Sequence, residues 1–152
     1  MNKDIKINIK SSEIVRSPFA DGRCKKYRLA LKYKGATFTF NFHGSVHDHE
    51  YGKTLNKKDV MYCLLADMGC YDYNRSIKDF LNEYGYDEFE LYPYIENGYT
   101  ISDLYSFASD KDVDQLRTGI KAYKDCKRTY ERLHEIFNSK ELEELEKEFQ
   151  DY

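Results

Sequence analysis

Three imidazoles fall within seven residues, at His43, His47 and His49, with Asp48 and Glu50 beside them. Imidazole nitrogen and carboxylate oxygen are the donors a divalent metal takes, so the cluster offers the chemistry of a metal-dependent hydrolase. The segment is also where a strand runs out into a polar loop. Such a loop does not fix the rings on one side as a helical His-x-x-x-His would, and solvated loop histidines are the favoured reading. Nucleophilic chemistry has less to stand on. There is no Gly-x-Ser-x-Gly and no Gly-rich phosphate loop, and Cys63 sits among Met61, Leu64 and Leu65, the setting of an inert, buried thiol. The residues therefore assign no catalytic group, no metal and no cofactor, and the expectation is a protein that is not an enzyme.

Charge is more informative than any motif. Residues 1–66 hold thirteen basic and six acidic side chains, residues 67–116 three and twelve, and residues 117–152 eight and nine. A total of −3 hides a strongly polarised chain. The acidic middle is threaded with tyrosine: Asp87, Glu88, Glu90, Tyr92, Tyr94, Glu96, Tyr99 and Asp103 form the candidate binding surface. Carboxylates on an ordered scaffold suit a basic partner, and Tyr supplies stiff contact area at low entropic cost. The competing reading of this stretch is a core and rim of tyrosines with merely solvated acids. An opposite function would use Arg117, Lys121, Lys124, Lys127, Arg128 and Arg132 to follow nucleic-acid phosphates. The interspersed Asp125, Glu131 and Glu135 and the acidic total make direct nucleic-acid binding the lesser expectation.

The elements that must carry these residues follow from periodicity. Ile5, Ile7 and Ile9, then Tyr27, Leu29, Leu31 and Tyr33, then Phe38, Phe40 and Phe42 alternate with polar residues, the period of half-buried strands. Turn residues at Ser17 to Gly22 and at Lys34-Gly35 make them an antiparallel meander with one apolar and one basic face. Asn56 and Ser76 each stand three residues before an Asp, which predicts two capped helices, stopped by Gly69 and Gly85. That pair, residues 56–87, is the stretch around which the rest is expected to organise. From Tyr86 to Asp112 the expectation is loop or short hairpin, with a brief helix from Ser102 to about Ala108. A long helix from about Val113 to Phe137 is weakened at Gly119, and a last helix follows Ser139 as cap. The fold class is α+β: a three-stranded antiparallel sheet packed against four to five helices in a single domain.

At 152 residues the chain can bury a real core, and its 15 Tyr, 9 Phe and no Trp give much of the apolar surface a hydroxyl tip. The N-terminus alternates charge where a signal peptide needs an apolar run, and no segment has the length of a membrane span, so a cytoplasmic protein is expected. In that compartment Cys24, Cys63, Cys70 and Cys126 are expected as free thiols.

Several segments resemble a group of small accessory proteins of tailed bacteriophages. They are the strand hairpin ending in Phe38-Thr-Phe-Asn-Phe-His43, the helix Asp59-Val-Met-Tyr-Cys-Leu-Leu-Ala-Asp67, the segment Ser76-Ile-Lys-Asp-Phe-Leu-Asn-Glu-Tyr-Gly-Tyr-Asp87, and the Ala122-Tyr-Lys-Asp-Cys126 helix. The resemblance covers residues 25–87 and 113–137, and residues 88–112 stand apart from it as an insertion. It implies a counter-defence protein such as an anti-CRISPR: a non-enzymatic inhibitor of a host defence nuclease complex, acting in the host cytoplasm. No catalytic residue comes with it. A homodimer through the aromatic faces is an alternative use of the same surface.

Overall fold

Alternation builds the sheet, as expected. The computed structural model describes residues 4–18, 23–44 and 56–149. Strands β1 (Lys6–Arg16), β2 (Arg23–Tyr33) and β3 (Ala36–His43) form an antiparallel sheet in the order β1-β2-β3. Lys34 and Gly35 both take positive φ, 49° and 81°, and Tyr33 pairs with Ala36, so the β2–β3 turn has two residues and the primed hairpin geometry. Leu29 faces Phe40 and Leu31 faces Phe38, which brings the apolar rows onto one side. The register of β1 shifts between Ile9 and Ser11. Beyond the shift, Glu13 lies opposite Lys26, which lies opposite His43. These three form a row on the face opposite Tyr27 and Phe42, because successive strand residues alternate sides. That second face is basic but not uniformly solvated: Arg28 and Lys32 are exposed, whereas Cys24 is buried.

Among the described residues six helices follow: α1 (Lys57–Tyr73), α2 (Ile77–Glu83), α3 (Glu88–Glu96), α4 (Ile101–Leu104), α5 (Asp110–Ile136) and α6 (Ser139–Phe149). The first two start as the sequence predicts. Asp59 N donates to Asn56 Oδ1 at 2.9 Å while Asn56 N donates back to Asp59 Oδ2 at 3.1 Å, and Asp79 N donates to Ser76 Oγ at 3.0 Å. The expected stop at Gly69 does not occur. Helix α1 runs on to Asn74, whose N–H and side-chain amide both donate to Cys70 O, at 3.1 and 3.2 Å. Gly85 does take the left-handed conformation, φ 73°, just past α2. At the far end Asn138, not Ser139, caps α6: Glu141 N donates to Asn138 Oδ1 at 2.8 Å, and Asn138 N donates to Glu141 Oε1 at 3.1 Å.

The largest departure is in what organises the molecule. Residues 56–87 carry one layer, but α5 is the element common to all three apolar clusters. Leu133 joins the core between sheet, α1 and α6; Ala122 and Cys126 pack on Phe80; Val113 and Leu116 pack on Leu81, Tyr86, Leu91 and Leu104. A helix of 27 residues is about 40 Å long, enough to serve all three. Its buried stripe is Val113, Leu116, Gly119, Ala122, Cys126, Thr129 and Leu133. Four of these are small, which is what lets α1 and α2 approach closely. Tyr86 Oη donates to Pro18 O at 2.8 Å and ties the end of β1 to the third cluster. No helix among the described residues is long and apolar enough to cross a membrane.

Candidate functional site

Of the stretch from Tyr86 to Asp112, the part expected as loop or hairpin holds helix α3, and the brief helix expected from Ser102 is α4, which is shorter and begins at Ile101. Pro93 lies inside α3, which forgoes one backbone bond there, and Asn97-Gly98 ends that helix instead of turning a hairpin: Gly98 has φ 93° and Asn97 Nδ2 donates to Pro93 O at 2.9 Å. Helix α4 is capped by Thr100, not Ser102. Asp103 N donates to Thr100 Oγ1 at 3.1 Å and Thr100 N donates to Asp103 Oδ2 at 2.8 Å. Leu91 and Leu104 anchor both helices on Val113 and Leu116 of α5, with Ile95 and Ile101 packed alongside.

This anchoring decides which candidate residues face outward. Tyr94, Tyr99 and Phe107 are 41, 46 and 50% exposed. Their ring centroids lie 5.6 Å (Tyr94 to Tyr99), 4.9 Å (Tyr94 to Phe107) and 6.1 Å (Tyr99 to Phe107) apart, so the three rings form one exposed aromatic cluster. Tyr99 N donates to Tyr94 O at 2.9 Å, which fixes the chain after α3 beneath them. Glu96 is exposed close by in sequence. Tyr92 is half-buried and packs into the cluster with Leu91, and partial burial with Glu96 nearby pushes its hydroxyl pKa up. Asp103 is committed to the α4 cap, and those hydrogen bonds hold its carboxyl below the usual range.

Asp87, the N-cap of α3, and Glu90 lie two turns and one turn before Tyr94 on the same side, since residues three and four apart share a face. With Asp112 of α5 they bring three carboxylates within 4.8 Å of one another. A hydrogen bond with Asp87 and the charges of Asp87 and Asp112 raise the Glu90 carboxyl pKa. Crowding of this kind is relieved by a cation, whether a divalent ion or the ammonium or guanidinium of another protein. Of Glu88 the structure describes only its place as the first residue of α3.

Sequence reasoning left Phe107 and Asp112 out of the site. Phe107 carries no charge signal, and Asp112 is separated from Asp87 by 25 positions and joins it only through the packing of α3 on α5.

His47, His49, Asp48 and Glu50 lie outside the described residues. His43 is the last residue of β3, where burial first, and then the charges of Lys26 and Lys121, lower it to about 4 and leave it neutral at pH 7. No disulfide joins any of Cys24, Cys63, Cys70 and Cys126. Burial pushes the Cys70 and Cys126 thiols up, the opposite of what an activated nucleophile needs. On the long helix, Lys124, Lys127, Arg128 and Arg132 line a shallow depression together with Glu131 and Glu135.

These features define an α+β protein with an acidic aromatic face at one end and a basic helix surface along its spine. No protein-family model, no curated protein and no solved structure matches the chain.

Proposed function

We propose that this protein is a non-enzymatic inhibitor that binds a basic protein surface through the face built by α3 and α4, and so blocks nucleic-acid access or cleavage in a nuclease complex. The observation that carries the reading is the cluster of Tyr94, Tyr99 and Phe107, three exposed rings in mutual contact beside an overcrowded group of carboxylates. Aromatic anchors ringed by charge are the arrangement in which a few residues hold most of an interface's energy. A partner's Lys or Arg set against Asp87, Glu90 and Asp112 would relieve the repulsion there. The counter-defence setting, a phage protein acting on a CRISPR effector or similar host complex, is what the resemblance implies for such a surface.

Point substitutions test this better than removal of residues 88–110, which would strip the cover from Val113 and Leu116. Tyr94→Ala with Phe107→Ala is expected to abolish capture of a nuclease component from a defence-bearing bacterial lysate, with thermal unfolding little changed. Retained capture and inhibition by that double variant would sink the reading. The competing use of the basic spine is favoured by the depression at Lys124 and Arg128. It predicts a salt-sensitive gel shift with DNA or RNA alone, lost in Lys121→Glu, Lys124→Glu, Arg128→Glu protein and untouched by the aromatic variant. Light scattering on the purified protein separates a third use of the same rings, self-association, from both.

A further inference from the structure

A crevice of about 270 Å³ lies between the end of the sheet and the middle of α5. Four cations line it: Arg16 from β1, Lys26 from β2, and Arg117 and Lys121 from α5. Among the described residues, Glu13 is the one acid in its lining. Two of the cations have partners outside it, since Lys26 Nζ is 3.5 Å from Asp125 Oδ2 and Arg117 Nη1 is 3.9 Å from Asp114 Oδ1. The Arg117 pair is long and exposed, and its guanidinium also lies 5.3 Å from the Tyr105 ring, so it is held loosely enough to turn inward.

We propose that this crevice is a binding site for a phosphomonoester group, held between Arg16 on the sheet side and Arg117 and Lys121 on the helix side. Opposed guanidinium groups match the geometry of a terminal phosphoryl group, whose three oxygens accept paired hydrogen bonds. His43 lines the same space, where burial first, and then Lys26 and Lys121, keep it neutral. Thr118, also in the lining, adds a hydroxyl. The volume accommodates a phosphoryl group with a sugar. An internal phosphodiester carries a single charge and two bulky substituents, and suits the open depression further along α5 better than this recess. The site is separate from the α3–α4 face and does not depend on what that face binds.

Calorimetric titration with ribose 5-phosphate, ribose and inorganic phosphate tests it, together with one oligonucleotide bearing either a 5′-phosphate or a 5′-hydroxyl. Ribose 5-phosphate is expected to bind and ribose not. Arg16→Ala and Lys121→Ala should each weaken binding at least tenfold, and Lys127→Ala, on the same helix outside the crevice, should leave it unchanged. Arg16 and Lys121 are exposed, so thermal unfolding of both variants should match the parent, and Arg16→Lys, which keeps the charge but loses the fork, should bind between the two. Inorganic phosphate binding as tightly as ribose 5-phosphate would assign the site to the free ion as its source. Tighter binding of the 5′-phosphorylated oligonucleotide would assign it to a nucleic-acid end. No binding of ribose 5-phosphate at millimolar concentration overturns the proposal. Equal losses in Lys127→Ala, or crevice-dependent binding of both oligonucleotides alike, overturn it as well.

Discussion

A methyl group added at Gly119 would stand 2.5 Å from Leu81 Cδ2 and 2.8 and 2.9 Å from atoms of the Tyr86 ring. Helix propensity alone makes Gly119→Ala favourable by about 1 kcal/mol, and overpacking against two immobile neighbours opposes it by about 1–3 kcal/mol. The clash is expected to win. Urea unfolding of Gly119→Ala should show a net loss, and a gain would mean that α2 yields easily. Asp67 presents a different residue-scale problem. It is buried on α1, and burial first and then the Asp125 charge push its carboxyl well above the ordinary value of 3.8. The folded state therefore holds a proton that the unfolded chain releases above that value. Its contribution to stability is complete below the unfolded pKa and declines as pH rises towards the folded one. Asp67→Asn, neutral at every pH, should be increasingly more stable than the parent as pH climbs from 4 to 8, with a slope no steeper than about 1.4 kcal/mol per pH unit. Chemical denaturation at a series of pH values measures it, and parallel curves would show that Asp67 is ionised in the fold.

Among the elements, α4 has four residues and relies on its ends. The reciprocal Thr100 and Asp103 bonds hold it, so Thr100→Ala should lower stability by about 1 kcal/mol and raise amide exchange around Leu104, with exchange in α1 unchanged. The sheet, α2 and both helix caps at Asn56 and Ser76 were legible in the sequence, because strand alternation and cap chemistry are local. What failed were the places where one residue type has two meanings. Gly69 reads as a stop and is helix interior. Pro93 and Asn97-Gly98 are turn signals by residue type, although one lies inside α3 and the others merely end it. Gly119, Ala122, Cys126 and Thr129 do not look like a core stripe, since being small is what qualifies them to face α1 and α2. The acidic and aromatic content of the candidate site was visible as composition. Its grouping of Asp87 and Glu90 with Asp112, and of Tyr94 with Phe107, depends on α3 and α4 lying against α5.

At the scale of the whole molecule, the polarised charge resolves into separate surfaces: crowded carboxylates beside α3, and cations along α5 and the end of the sheet. Opposite fields on one small body orient an approaching partner before contact, and salt weakens that steering. The spine has one further consequence, which concerns the chain as it is made. Strands β1 to β3 and helices α1 to α4 all emerge during synthesis ahead of α5, yet each of the three apolar clusters takes a side chain from it. A growing chain that has reached residue 109 still lacks a side chain that each cluster needs to be complete. Phe80, whose buried partners Ala122 and Cys126 both lie on α5, is left without that cover until the helix is made. The molecule therefore completes its core late and all at once, rather than from its N-terminus forward.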